Sequence, residues 1–149
     1  MIDTFLFTVS LHVALPILTY TAGSGGTITG TTPQTVDYGT DGAEVTATPN
    51  TGYHFVSWSD GVLTAARTDL NVTADVSVTA TFAINTYTLT YTAGANGAIS
   101  GTSPQTVDHG SDGSAVTAVP DTGYHFVSWS DGVMTATRAD TNVTSDMNV

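Results

Sequence analysis

The chain repeats itself at a fixed offset, and a fixed repeat constrains a fold before any single motif does. Thr51-Gly52-Tyr53-His54-Phe55-Val56-Ser57-Trp58-Ser59-Asp60-Gly61-Val62 returns unchanged from Thr122 to Val133. Pro33 and Pro104, Tyr20 and Tyr91, and Arg67 and Arg138 pair at the same offset of 71 residues. When Leu18–Val78 is laid on Leu89–Val149, about two-thirds of positions are identical. The substitutions fall mostly where turns or solvent faces are expected, such as Ser24-Gly25 against Ala95-Asn96 and Tyr38 against His109. The expected organisation is a leader over 1–17, a first module over 18–84 and a second over 85–149. Ala83-Ile84-Asn85 is a very short link between the two modules. A module of about 70 residues buries only about 60% of its unfolded surface. Neighbouring repeats of the same chain are therefore the expected partners, within a monomer.

The repeated stretch reads as a strand. Tyr53, Phe55 and Ser57 alternate with His54, Val56 and Trp58, which puts large side chains on both faces and predicts a central strand. Thr-Gly before it and Ser-Asp-Gly after it supply the turns.

Composition narrows the class. Lys and Cys are absent, Arg67 and Arg138 are the only Lys or Arg residues, and 13 carboxylates give a formal charge of −11. Thr and Val favour pleated surfaces, and strong helix formers are scarce, so a mainly β fold is expected. So acidic a surface repels phosphate backbones and anionic headgroups, which argues against nucleic acid and membrane surfaces as partners. Without Cys there are no disulfides, thiolate nucleophiles or thiolate zinc sites.

Met1 to Ile17 is too short to span a membrane, lacks a basic n-region and carries Asp3, so it is a poor signal peptide. Ser10 to Ile17 matches, one residue aside, the translation of a common sequencing-library adaptor. This leader, His12 included, is expected to be artefactual or disordered and to carry no function. In the second module Thr86 to Thr92 sets Tyr87, Leu89 and Tyr91 against a face of Thr. With Ala98-Ile99-Ser100-Gly101 it reads as a hairpin closed by a Gly-rich loop. Pro104 to Gly110 is a short extended piece, Ala115 to Val119 a strand, and Val133 to Thr141 the only segment able to hold a helical turn. The closing strand is clearest in the first module, where Val72, Ala74, Val76, Val78, Ala80 and Phe82 share one face. The second module stops at Val149, the counterpart of Val78, so its closing strand is expected to be short. In the first module Pro16 and Ile17 stand where the second has Tyr87 and Thr88.

The order Tyr-Thr-Leu-Thr-Tyr, Gln-Thr-Val-Asp-Tyr/His-Gly, Pro-x-Thr-Gly-Tyr-x-Phe-x-x-Trp and Asn-Val-Thr…Val-Thr-Ala-Thr-Phe resembles the divergent internalin B-repeat modules of bacterial secreted and surface-anchored proteins. The resemblance covers Leu18 to Val149. It implies two small antiparallel β modules, β-grasp-like with little or no helix, used as spacer or adhesive repeats. It carries over Tyr53, Phe55 and Trp58, with Tyr124, Phe126 and Trp129, as the core signature. It implies no catalytic residue and no cofactor.

Candidate chemistry is thin. His54 and His125 have only Asp60 and Asp131 near them in sequence, and a strand His satisfied by a neighbour is the plainer reading. Asp37-x-x-x-Asp41-Gly42-x-Glu44 faintly resembles a calcium loop, but Ala115 replaces Glu44 in the second copy and the full spacing is missing. Asn71-Val72-Thr73 and Asn142-Val143-Thr144 match a glycosylation acceptor only in a eukaryotic secretory pathway. No nucleophile elbow surrounds any Ser. The expected catalytic, cofactor and metal sites are thus none. The leading expectation is a non-catalytic stalk or adhesive repeat of an extracellular or cell-surface protein, with any host or glycan ligand unidentified. The alternative is a carbohydrate-binding module stacking sugars on exposed Trp58, Trp129 or Tyr38, and burial of the two Trp separates the readings.

Overall fold

A computed structural model describes residues 14–149; residues 1–13, and with them His12 and most of the expected leader, lie outside the described residues. The first repeat holds β1 (Ile17–Ala22), β2 (Gly26–Thr29), β3 (Gln34–Thr35), β4 (Val45–Pro49), β5 (Tyr53–Trp58), β6 (Ala66–Arg67) and β7 (Val76–Ile84). The second holds β8 (Thr86–Thr90), β9 (Gly97–Ser100), β10 (Gln105–Asp108), β11 (Val116–Pro120), β12 (Thr137–Arg138) and β13 (Met147–Asn148). No helix forms among the described residues. Val133 to Thr141 contributes β12 instead of a helical turn, because Thr137 and Arg138 pair with Thr117 and Val116.

The repeats share one plan. Strands run β3-β1-β7-β5 in one sheet and β2-β4-β6 in another; the second repeat forms β10-β8-β13 and β12-β11-β9. The registered pairings are antiparallel except that first and last strands run parallel, Leu18 opposite Val76 to Ala22 opposite Ala80, and Leu89 opposite Met147. Parallel pairing of the first and last strands thus recurs in both repeats.

Alternation explains which side chains enter the core. Leu18 and Tyr20 on β1, Val45 and Ala47 on β4, and Val78 and Ala80 on β7 are all buried, so the first repeat closes its core between its two sheets. Leu89, Tyr91, Val116, Trp129 and Val143 form the equivalent cluster in the second. The buried Gln of each Gln-Thr-Val-Asp motif ties the loop that follows it. Gln34 Nε2 donates to the carbonyls of Thr31 and Ala43 at 3.0 and 2.9 Å, and the Ala43 amide donates to Gln34 Oε1 at 2.8 Å. Gln105 does the same with Thr102 and Ser114. A buried amide so saturated incurs no desolvation debt.

Several sequence expectations are corrected. β8 and β9 do not form a hairpin, because β9 pairs with β11 and β8 with β10. The Gly-rich loop carries the chain from one sheet to the other. The return from β2 needs Gly30, at φ 113, where a Cβ would lie 2.9 Å from the Glu44 carbonyl oxygen; Gly101 stands likewise against Ala115. The repeated strand β5 lies at a sheet edge and not centrally. Its apparent two-faced apolarity arises because Val56 points to solvent, while Trp58 tucks inward as the backbone turns. Trp58 and Val62 close that turn through a 2.8 Å bond. The closing strand starts at Val76, not Val72. Val72 is buried through a separate bridge to Thr40, and Ala74 is exposed. Ile17 already belongs to β1, its amide donating to Asp75 Oδ1 at 2.8 Å, and the Pro16 carbonyl accepts from Val36.

The described chain divides into two compact units, the first made of the chain up to Thr48 plus Val56–Thr81, the second of Pro49–Phe55 plus Phe82–Val149. Inside the second unit, the Asn85 amide donates to the Gly52 carbonyl at 2.8 Å, His54 Nδ1 lies 2.8 Å from Asn85 Oδ1, and the His109 amide donates to the Asn85 carbonyl. Phe55 meets Phe82 edge-on at 6.0 Å.

Candidate functional site

The strongest convergence of charged side chains in each repeat gathers around its one arginine. Arg67 ends β6, and Asp69, two residues on along an extended segment, projects from the same side. Arg67 Nη2 donates to Asp69 Oδ1 at 2.6 Å and Nε to Oδ2 at 3.2 Å, a fork matched to a carboxylate. Nη1 reaches both oxygens of Asp60, which the Ser-Asp-Gly turn after Trp58 presents, at 3.2 and 3.0 Å. The guanidinium lies over the Trp58 ring at 5.1 Å and the Tyr20 ring at 5.7 Å. The Tyr20 hydroxyl donates to Asp69 Oδ2 at 2.6 Å, and Trp58 Nε1 donates to the Thr64 carbonyl at 3.0 Å.

The second repeat rebuilds the node from the same residue types, with an added contact from Arg138 Nη2 to Met147 Sδ at 3.6 Å. Arg138 pairs with Asp140 at 2.6 Å and Asp131 at 2.9 Å, lies over Trp129 at 5.3 Å and Tyr91 at 5.9 Å, and Tyr91 donates to Asp140 at 2.7 Å. The arginine side chains are only 7% exposed. Both Lys or Arg residues of a chain with 13 carboxylates are thus held inside, each between two Asp and two rings.

Electrostatics follow from the packing. Burial, reinforced by the hydrogen bond to Asp69, raises the Tyr20 hydroxyl; the same causes, with Asp140, push Tyr91 up to about 12. Burial pushes the Asp69 carboxyl upward, but the hydrogen bonds from Arg67 and Tyr20 outweigh it and hold the group below its ordinary value. Asp140 is lowered chiefly by its hydrogen bond from Arg138. Every charged member is paired within the node.

The residues singled out from the sequence lie as follows. Trp58 and Trp129 are 1% and 5% exposed, so neither can stack on a sugar from solvent. Tyr38 is exposed, but His109 occupies its place in the second repeat. Phe55, Phe126 and Tyr53 are half-buried, and Tyr124 is 57% exposed. Asp41 Oδ1 accepts the Asn71 amide at 2.8 Å, as Asp112 Oδ1 does for Asn142. Among the described residues no three His, Cys, Asp or Glu converge as metal ligands. The arginine node itself went unread in the sequence. The available signal was Arg-x-Asp with an upstream Asp-Gly turn, kept in both copies of a chain poor in cations.

Replacing Arg67 with Met should destabilise the first repeat by about 3 kcal/mol, the low end for removing one partner of a buried pair, since Asp60 keeps some solvent contact. Denaturant unfolding followed by Trp fluorescence measures this. Arg67→Lys should lose less, because it keeps the charge and loses the fork. The pH profile should show two flanks. Lowered Asp69 and Asp140 add stability that is present above about pH 4 and lost as pH falls below it. Raised Tyr20 and Tyr91 add stability that is lost as pH climbs from about 10 towards about 12. Melting temperatures across pH should therefore form a plateau from about 5 to about 9, and a step between about 6 and 7 would assign the dependence to histidine instead.

A family model described as the divergent InlB B-repeat domain matches residues 17–86 and again residues 87–149. No curated protein and no solved structure matches the chain. With two adjacent matches spanning nearly all of the described residues, the chain belongs to the divergent InlB B-repeat family.

Proposed function

We propose that these repeats are non-catalytic structural or adhesive modules, serving as a stalk or spacer in a bacterial secreted or cell-surface protein. The observation that carries this reading is that the node is built twice with every charged member paired. What is held constant between the copies is thus packing, not an open chemical site. The family is one of bacterial surface and secreted proteins, which supports an extracellular location. The near-identity of the copies supports a role set by their number, since tandem modules lengthen a chain without needing a pocket. The burial of Trp58 and Trp129 favours this reading over sugar stacking.

Small-angle scattering on chains carrying two, three and four copies tests the proposal. A spacer predicts that the maximum dimension grows by an equal increment with each copy, while the Trp emission stays blue-shifted and indifferent to added glycans. Collapse of longer chains into a compact particle, or a saturable glycan-dependent change in Trp emission, would contradict it.

A further inference from the structure

Of the six asparagines in the chain only Asn96 is followed by glycine; Asn50 and Asn85 precede Thr, and Asn71, Asn142 and Asn148 precede Val. The following residue matters because its backbone nitrogen is placed to attack the side-chain carbonyl carbon. A β-branched neighbour crowds that approach, and glycine leaves it open.

The fold itself asks for this pair. The turn before β9 passes through a left-handed residue, which the first repeat supplies as Gly25 at φ 92 and the second as Asn96 at φ 64. Asn is among the few residues with a side chain that adopt this conformation routinely. The next position must be small, because a Cβ on Gly97 would stand 3.0 Å from the Val119 carbonyl oxygen. Backbone needs alone therefore set a side-chain amide beside an unhindered nitrogen. The first repeat meets the same needs with Gly25-Gly26 and has no side-chain amide there.

The register leaves that nitrogen unengaged by the partner strand. Gly97 lies opposite Pro120, which has no N–H, and the Asn96 carbonyl accepts the Asp121 amide at 3.0 Å. Gly97 thus holds a non-hydrogen-bonded place in the ladder between β9 and β11, with its N–H directed away from β11. On that side β9 is the last strand of its sheet, as β2 is in the first repeat. Comparable turns are closed to the same reaction. Asn71 and Asn142 are also left-handed, at φ 48 and 50, but the Val72 and Val143 amides donate to Thr40 and Ser111 at 2.8 and 3.0 Å. In the four Asp-Gly steps the Gly42, Gly61, Gly113 and Gly132 amides donate to the carbonyls of Asp69, Trp58, Asp140 and Trp129.

We infer that Asn96 is a self-modification site, where the side-chain amide is converted to a carboxylate through a cyclic imide. The Gly97 nitrogen bonds to Asn96 Cγ, the Cγ–Nδ2 bond breaks, and the Gly97 amide proton leaves with Nδ2 as ammonia. Water then opens the ring at either carbonyl, giving Asp or an isoaspartyl link, with no oxidant or cofactor required. Ring closure needs Cγ and the Gly97 nitrogen on one side of the Asn96 Cα–C bond, and a left-handed residue holds them apart. The reaction therefore proceeds as the loop swings out of its turn, and the turn meters the rate. An isoaspartyl link adds one atom to the main chain where Asn96 accepts Asp121, which loosens the pairing of β9 with β11. This inference is independent of the spacer reading, because it rests on one loop of the second repeat.

The test incubates the full chain at neutral and mildly alkaline pH and follows it by peptide mapping. Expected is a gain of one mass unit confined to the peptide holding Asn96, divided between Asp and isoaspartyl forms, faster at the higher pH and matched by released ammonia. In water labelled with heavy oxygen, one labelled atom should enter per event. Asn96→Gly, which copies Gly25, should fold as well as the parent chain and stay unmodified. Aged parent chain should melt at a lower temperature than fresh chain, while Asn96→Gly keeps its melting temperature over the same period. The free peptide of residues 94–100 serves as the control. An Asn96 amide that persists in the chain while the peptide converts, conversion of Asn71 or Asn142 ahead of Asn96, or a mass gain that survives Asn96→Gly would overturn the proposal.

Discussion

The arginine node is the constraint on which each repeat depends. A guanidinium taken out of water is costly unless its donors are filled, and here two carboxylates fill them while two rings cover its faces. The four partners come from separate places along the repeat: Tyr20 from the first strand, Trp58 from the end of β5, Asp60 from the turn after it and Asp69 from the segment past β6. One side chain thus joins both sheets, so its geometry can be satisfied only when the repeat has closed. Small domains bury too little apolar surface to be generous with stability, and a polar clamp of this kind adds specificity to a thin core.

The second repeat shows that sequence identity is not sufficient for secondary structure. Within the twelve unchanged residues, Tyr53–Trp58 form an edge strand beside β7, whereas residues 124–129 carry no strand. Trp129 is held by the Tyr91 ring at 6.0 Å, the Phe126 ring at 5.8 Å, Arg138 and the Thr135 carbonyl. Tyr124 and Val127 are exposed, at 57% and 72%. The node therefore sets the core, and the strand ladder sets the edge.

Much of the architecture could be read from residues alone. The 71-residue period gave the two modules, and the alternation of Val76, Val78, Ala80 and Phe82 gave the inward face of the closing strand. Partner choice was not legible, because a period of two assigns faces and is silent about which strand lies alongside. For that reason β8 and β9 looked like a hairpin, and β5 looked central. The node was hidden because its members are scattered from Tyr20 to Asp69, and a lone Arg in an acidic chain looks like a solvated charge. Arg67 and Asp69 at a spacing of two were the local trace of it.

The claim that a buried arginine holds each repeat is tested most directly by side-chain NMR of Arg67 and Arg138. The account predicts two sharp Nε–Hε signals, slow to exchange with water and unchanged in about 1 M salt, where screening reaches within about 3 Å of an exposed charge. Averaged arginine signals that exchange rapidly, or that collapse as salt is added, would mean the guanidinium groups sit in solvent and that something else closes the fold.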